Sequence, residues 1–176
     1  MEIRSATPDD AAALLEIYSP YVLNTAITFE YVAPSLETFR KRIESALPHY
    51  PFLLAADGAE ILGYAYAGPL KSREAYDWSV ETSIYIRLGN HRRHVGTTLY
   101  SALELELKQR GIRNMYACIT APDEDHAFVP AASPLFHERM GYRTVGHFHC
   151  CGYKFDRWFD ILWMEKFIGD HNDVRP

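Results

Sequence analysis

Cysteine is scarce: the chain holds three, Cys118, Cys150 and Cys151, in 176 residues. Two are adjacent, and sequence neighbours rarely bridge each other. An odd count without framework spacing excludes a disulfide-stapled fold and fits a reduced compartment. Long apolar runs are also lacking. No stretch reaches the ~20 residues that span a bilayer, so no membrane partner is expected. Positive charge is not in surplus either, with 18 Lys and Arg against 23 Asp and Glu for a formal net charge of −5. That balance excludes a general nucleic-acid surface, which needs a basic field. Met1-Glu2-Ile3-Arg4 lacks a secretion signal's apolar centre, and the expected location is the cytoplasm. The histidines are scattered and show no metal-ligand pattern, so no metal is expected. Neither a repeat nor a dividing linker is visible.

What is present is a globular composition, 48% hydrophobic and 23% charged. The length suits one domain, which buries roughly 70% of its unfolded surface. Twelve Tyr, nine Phe and three Trp fit an aromatic-lined pocket, although core packing accounts for aromatics more often.

Local patterns order the elements. A short strand at 3–5 leads to Thr7, an N-cap followed by Pro8 and Asp10, and a helix body over 11–18. Residues 21–31 read as less regular. Ser35 opens a second helix with the apolar stripe Leu36, Phe39, Ile43 and Leu47, and Pro48 ends it. Asp57-Gly58 between two apolar runs predicts a hairpin. In the strand over 78–86, Trp78, Val80, Thr82, Ile84 and Ile86 share a core face, while Ser79, Glu81, Ser83 and Tyr85 face solvent or a cleft. Residues 97–110 form the clearest helix, with Leu99, Leu103 and Leu107 spaced at four and Gly111 as its stop. A strand at 114–120 and a mobile loop at 121–132 follow. Ser133 then caps a short helix, and two strands flank a turn at 152–156. The domain is expected over 1–168, with 169–176 as a disordered tail. The order is β-α-α-β-β-β-α-β-α-β-β, a mixed α/β single domain.

The most informative segment is 76–111. A strand with an acid at its middle, Glu81, runs into His91-Arg92-Arg93-His94-Val95-Gly96 and directly into a helix. Basic residues and a glycine where a helix begins suggest a phosphate site, because the first N–H groups are unpaired and carry partial positive charge. A solvated basic turn is the plainer alternative. An acid one strand earlier suggests proton chemistry beside the anchored phosphate, its alternative being an exposed strand acid.

The order and motifs resemble the GCN5-related N-acetyltransferase (GNAT) superfamily, in its phosphinothricin acetyltransferase-like branch. Tyr66-Ala67-Gly68-Pro69, Glu74-Ala75-Tyr76-Asp77-Trp78, Glu81, Thr98-Leu99-Tyr100, His137-Glu138, Gly141-Tyr142 and the stretch from Gly152 to Asp160 carry the likeness. It extends over about 3–166. The resemblance implies the acyl-CoA N-acyltransferase fold, a mixed central sheet flanked by helices. It also implies acetyl-CoA as acyl donor, a small amine as acceptor and a homodimer. The acceptor would be an amino acid or analogue; peptide N-termini, aminoglycosides and a non-catalytic acyl-CoA-binding role stay open. Two departures stand out. The family's cofactor loop usually reads Arg/Gln-x-x-Gly-x-Gly/Ala, whereas His91 and His94 occupy the first and fourth places. Relatives also often carry an Asn four residues before Ser133, and this chain has a longer loop instead.

Residue by residue, the resemblance makes Glu81 the base that takes a proton from the amine. It puts His137 near the acetyl group, where it would assist as base or as acid to the thiolate. His91, Arg92, Arg93, His94, Val95, Gly96 and Thr97 would hold pyrophosphate, chiefly through backbone N–H groups. Ile84, Tyr85 and Ile86 would pair their backbones with the pantetheine arm, and Ser133 would contact it or serve as a helix cap. Lys71 and Arg73 precede the catalytic strand and suit a substrate carboxylate or phosphinate. Phe29 and Tyr76 would wall the acceptor pocket, with Trp78 more at home in the core.

Overall fold

The computed structural model describes residues 1–89, 94–123 and 127–172. Seven strands form one sheet in the order β1-β2-β3-β4-β5-β7-β6. They are β1 (Glu2–Ser5), β2 (Phe52–Asp57), β3 (Glu60–Pro69), β4 (Ser79–Ile86), β5 (Asn114–Thr120), β6 (Arg143–Lys154) and β7 (Arg157–Phe167). Four helices, α1 (Ala11–Asn24), α2 (Leu36–Ala46), α3 (Val95–Gln109) and α4 (Ala132–Arg139), cover its faces in the expected chain order.

The amphipathic spacing of α3 places Leu99, Leu103 and Leu107 on one face of the sheet, against Val80, Met115 and Met164. Complete burial of each such side chain contributes ~1.5–3 kcal/mol. On the other face, α1 and α2 bring Leu14, Ile17, Phe39 and Ile43 against Phe52, Leu54 and Tyr64. Both faces of β4 are therefore covered. Tyr85, on the face expected to meet solvent or a cleft, is half-buried, with its ring in a cluster with Tyr18, Tyr21 and Tyr64.

Local chemistry explains several boundaries. Thr7 closes a capping box with Asp10, whose carboxylate also pairs with Arg4 at 2.6 Å. The Arg4 hydrogen bond, reinforced by the Thr7 N–H, holds the Asp10 carboxyl at about 2. Ser35 caps α2 by accepting the Thr38 N–H. Gly58 and Gly111 adopt positive φ, at the β2–β3 turn and just past α3 respectively, where side chains are disfavoured.

Other expectations need correction. α1 continues through Pro20 to Asn24, because burial of Tyr21 and Val22 outweighs the lost N–H. Leu36 is exposed while Phe39 and Ile43 alone of the α2 stripe are buried. Trp78 is 39% exposed rather than core. Ser133 lies inside the first turn of α4, and Ala131 takes the cap position. The β6–β7 turn is tighter than expected, with Phe155 and Asp156 at its centre, both left-handed. Within the 121–132 loop, Val129 is buried and the Asp123 carboxylate accepts the N–H groups of Phe128 and Val129. Residues 173–176 of the expected tail lie outside the described residues, while His171 bonds Asn114 at 2.7 Å.

Candidate active site

The site begins where the sheet opens. β4 and β5 are its parallel neighbours, and their pairing covers only Ser79↔Asn114, Val80↔Met115 and Glu81↔Tyr116. Beyond Glu81 the two strands part. The cleft between them is walled by Thr82 to Tyr85, by Ala117 to Thr120, and by Tyr100, Ser133 and His137 from α3 and α4. Backbone groups of β4 turned toward β5 lose their ladder partners there, which suits an extended ligand that adds its own hydrogen bonds.

Glu81 stands at the point of divergence. Strand alternation turns its side chain away from the α3 face, and it is half-buried. No described residue donates a hydrogen bond to its carboxylate. Burial raises its pKa, partly opposed by the positive charge of Lys71. A carboxylate with free lone pairs and raised basicity is suited to accept a proton.

His137 is built differently. It is 3% exposed, with Nδ1 2.8 Å from the Ser133 carbonyl and Nε2 2.9 Å from the Tyr100 hydroxyl. A carbonyl only accepts, so Nδ1 carries the proton and Nε2 accepts from Tyr100. The Thr82 hydroxyl lies 3.2 Å from both the Tyr100 and Tyr142 oxygens and donates to the Tyr116 carbonyl at 3.0 Å. Burial lowers the His137 pKa to about 4. The imidazole is thus neutral near pH 7 with both nitrogens engaged. In this state His137 lines the cleft as a neutral imidazole.

At the start of α3, His94 is left-handed (φ 55°, ψ 16°) and exposed. This is the conformation that glycine adopts without a side-chain penalty, and histidine is among the residues that tolerate it. Its carbonyl accepts the backbone N–H and hydroxyl of Thr98. Val95 is fully buried and pins the loop to the core. A β-carbon at Gly96 would lie 3.2 Å from the Phe136 ring, so glycine there also lets α3 meet α4 closely. Thr97 is exposed on the first turn. His91, Arg92 and Arg93 lie outside the described residues.

Ile84 and Ile86 pack their side chains toward the α3 core, leaving their backbones at the cleft. The Tyr85 ring points to the opposite face, and strand alternation turns its N–H and C=O toward β3, where it pairs with Tyr64, so the expected backbone contact from Tyr85 to a ligand in the cleft is corrected to Ile84 and Ile86. The Ile86 carbonyl is already taken by the Tyr21 hydroxyl at 2.6 Å.

The four expected acceptor residues divide into two groups. Lys71, Arg73 and Tyr76 are exposed on the β3–β4 connection. Neither cation pairs with an acid among the described residues, and Lys71 is close enough to act on Glu81. Phe29 comes from the α1–α2 connection and packs on Phe159, 6.3 Å between ring centres. A second cavity, about 410 Å³ and largely apolar, lies between α2 and β3, with Tyr66 and Gly68 on its wall. Gly68 is the register partner of Glu81.

Two features were missed from sequence. One is the Tyr100–Thr82–Tyr142 hydroxyl cluster. The other is Lys154, 2% exposed, whose ammonium donates at 2.7 Å to each of the Val22, Thr25 and Thr28 carbonyls. It ties β6 to the end of α1 and to the segment carrying Phe29. Lys154 is the last residue of β6, and nothing in the local pattern of that largely exposed strand marks it as buried.

A parallel pair that splays beside a helix start, with a desolvated acid at the fork, defines an acyltransferase cleft of the acyl-CoA type. The model of the acetyltransferase (GNAT) domain matches residues 3–163, and the chain belongs to that family. It is 32% identical over 168 residues to a phosphinothricin N-acetyltransferase of Streptomyces viridochromogenes, covering 95% of this chain and 88% of the relative. An L-methionine sulfoximine/L-methionine sulfone acetyltransferase of Pseudomonas paraeruginosa is also 32% identical, over 93% of this chain and 92% of its own. Among solved structures, a GNAT superfamily phosphinothricin acetyltransferase from Sinorhizobium meliloti in complex with AcCoA superposes with a TM-score of 0.89. It is 29% identical and covers 99% of this chain and 92% of its own.

Proposed function

We propose that the protein transfers acetyl from acetyl-CoA to the α-amino group of a small amino acid or analogue, such as phosphinothricin or methionine sulfone or sulfoximine. The observation that carries this reading is Glu81: half-buried, without a hydrogen-bond donor among the described residues, and placed where β4 leaves β5.

Acetyl-CoA supplies an activated thioester. The β4 backbone at Ile84 and Ile86, the loop 91–97 and Ser133 would hold it, the loop acting through N–H groups at the start of α3. A β4 N–H at the fork would face the oxygen on which negative charge develops.

An amine must be neutral to attack. With a pKa of ~8 for a peptide α-amine, about a tenth is neutral at pH 7, and the more basic amine of a free amino acid is neutral to a smaller extent still. Glu81 removes the remaining proton, directly or through water, a contribution of ~10²–10⁴-fold. Lys71 and Arg73 engage the acceptor's carboxylate or phosphinate, and Phe29 and Tyr76 wall its side chain. Transfer is direct, without an acyl-enzyme. Cys118, a thiol of the cleft wall, is held at about 11 by partial burial and by the Glu81 charge, which leaves it protonated and a poor nucleophile. His137 orients the Tyr100 hydroxyl as a neutral partner and does not deliver a proton as imidazolium.

The relatives named for phosphinothricin and methionine sulfoximine support a small acidic acceptor, as do the unpaired cations of the β3–β4 connection. Exposed Phe148, Tyr153 and Trp158 on the β6–β7 hairpin support association of two copies. A cytoplasmic setting fits three free thiols. A thiol-release screen tests the reading across amino acids, phosphinothricin, methionine sulfone and sulfoximine, polyamines, aminoglycosides and peptides. Turnover confined to peptides or aminoglycosides would overturn the acceptor assignment.

A further inference from the structure

The β6–β7 hairpin carries a polar cluster that acyl transfer does not use. His147 and His149 alternate on β6, and Asp160 lies across on β7. The ladder pairs His147 with Leu162 and Phe148 with Ile161, which brings His149 opposite Asp160 and His147 diagonal to it. The register then shifts between Phe148 and Gly152, and Cys150 adopts a left-handed backbone (φ 48°). That bulge frees the Cys150 N–H from the ladder and aims it at Asp160 Oδ1, 2.7 Å away.

The other carboxylate oxygen is left to the imidazoles. Asp160 Oδ2 lies 2.7 Å from His147 Nε2 and 2.9 Å from His149 Nδ1, and the two rings are 4.1 Å apart. All three donor atoms fall within 4.8 Å of one another. The expectation that the histidines are scattered fails at this one place. One carboxylate oxygen can accept from both imidazoles, and the same two ring nitrogens with Oδ2 are three ligand atoms gathered closely enough to turn onto one ion.

We propose that His147 Nε2, His149 Nδ1 and Asp160 Oδ2 form a surface site for one divalent transition cation of the zinc type, completed by water. Ligand bonds of ~2.0–2.1 Å in a tetrahedron set donor atoms ~3.4 Å apart. The two imidazole–carboxylate separations, 2.7 and 2.9 Å, need to open by roughly 0.5–0.7 Å and the two ring nitrogens, within 4.8 Å of each other, to draw together, movements open to side-chain rotation at exposed positions. The Cys150 N–H fixes the carboxylate from behind, as outer hydrogen bonds do at metal centres. Two nitrogens and one oxygen favour Zn²⁺, Ni²⁺ or Cu²⁺ over Mg²⁺ and Ca²⁺, which prefer all-oxygen shells. The site would brace the strand whose Phe159 supports Phe29.

Calorimetric titration of the full chain with Zn²⁺, under reducing conditions without chelator, tests this. One saturable equivalent per chain is expected, with no heat from Mg²⁺. His147→Gln and His149→Gln should each weaken binding by about tenfold or more, while Cys150→Ser with Cys151→Ser should leave it unchanged. Melting curves in EDTA should match wild type for both histidine variants, since both side chains are exposed. Absence of a saturable equivalent overturns the proposal. So does wild-type affinity in the double histidine variant, or binding that is lost with the cysteines instead.

Discussion

The ring of Phe29 occupies the space that a β-carbon at Gly152 would need, with ring atoms 2.2 and 2.3 Å from that position. Gly152 belongs to β6 and Phe29 to the α1–α2 connection, so one missing side chain lets the connection dock on the sheet. Gly152→Ala must push the ring out or bend the strand. The expected cost is ~1–3 kcal/mol of stability, typical of overpacking. Steady-state kinetics should show a several-fold rise in KM for the acceptor with KM for acetyl-CoA nearly unchanged.

Lys154 fixes the same connection from the other side. Its ammonium satisfies three carbonyls, and Lys154→Met would leave three buried acceptors without a donor. Urea unfolding should report a loss of more than about 2 kcal/mol. Acceptor KM should rise as in the Gly152 variant, because both changes release Phe29.

His137 makes a pH prediction. Its folded pKa is depressed to about 4 by burial, against ~6.5 for a free imidazole. The unfolded chain therefore binds a proton that the folded chain refuses. Stability is fully present above pH ~6.5 and declines as pH falls through about 4. Thermal melts across pH 7 to 4 should show this decline, and His137→Gln should flatten it.

How much of this could be read in advance depends on where the determining forces lie. β5, the Asp57-Gly58 turn and the Gly111 stop follow from local patterning and backbone freedom. The Leu99, Leu103 and Leu107 stripe needs only helical periodicity. Glu81 stood out as an acid at the middle of a strand, but its role as base came from the family resemblance, because pattern alone does not separate it from an exposed strand acid. For the face of Tyr85 the sequence left solvent and cleft open, because alternation cannot tell a solvated face from one partly covered by α1 and α2. α1 outran its expected end because tertiary burial of Tyr21 and Val22 overrides Pro20. The engagement of His137 with Tyr100 joins residues 37 apart in sequence, and the His147, His149 and Asp160 cluster depends on cross-strand register. Neither leaves a periodic trace.

His94 sits in a left-handed conformation that glycine adopts freely, and His94→Gly should relieve it. Stability should rise by up to ~1 kcal/mol, unless the added freedom of the unfolded chain offsets the gain. The clearer readout is KM for acetyl-CoA, expected to fall if, as proposed, the start of α3 holds the pyrophosphate and the variant clears a side chain from it. An increased KM would mean that the imidazole itself contributes a contact.

Glu81 carries the central claim, and Glu81→Gln tests it most directly through the pH dependence of kcat/KM. Burial raises the Glu81 pKa, so the wild-type acid limb should lie above that of a free glutamate. The variant should lose ~10²–10⁴-fold in kcat and lose that limb. Its melting temperature at neutral pH should be unchanged or higher. A carboxyl whose folded pKa is raised stabilises only while protonated, and its charged form at pH 7 costs stability. Wild-type turnover by Glu81→Gln across pH 6–9 would contradict the account, because the proton would then leave the amine by another route.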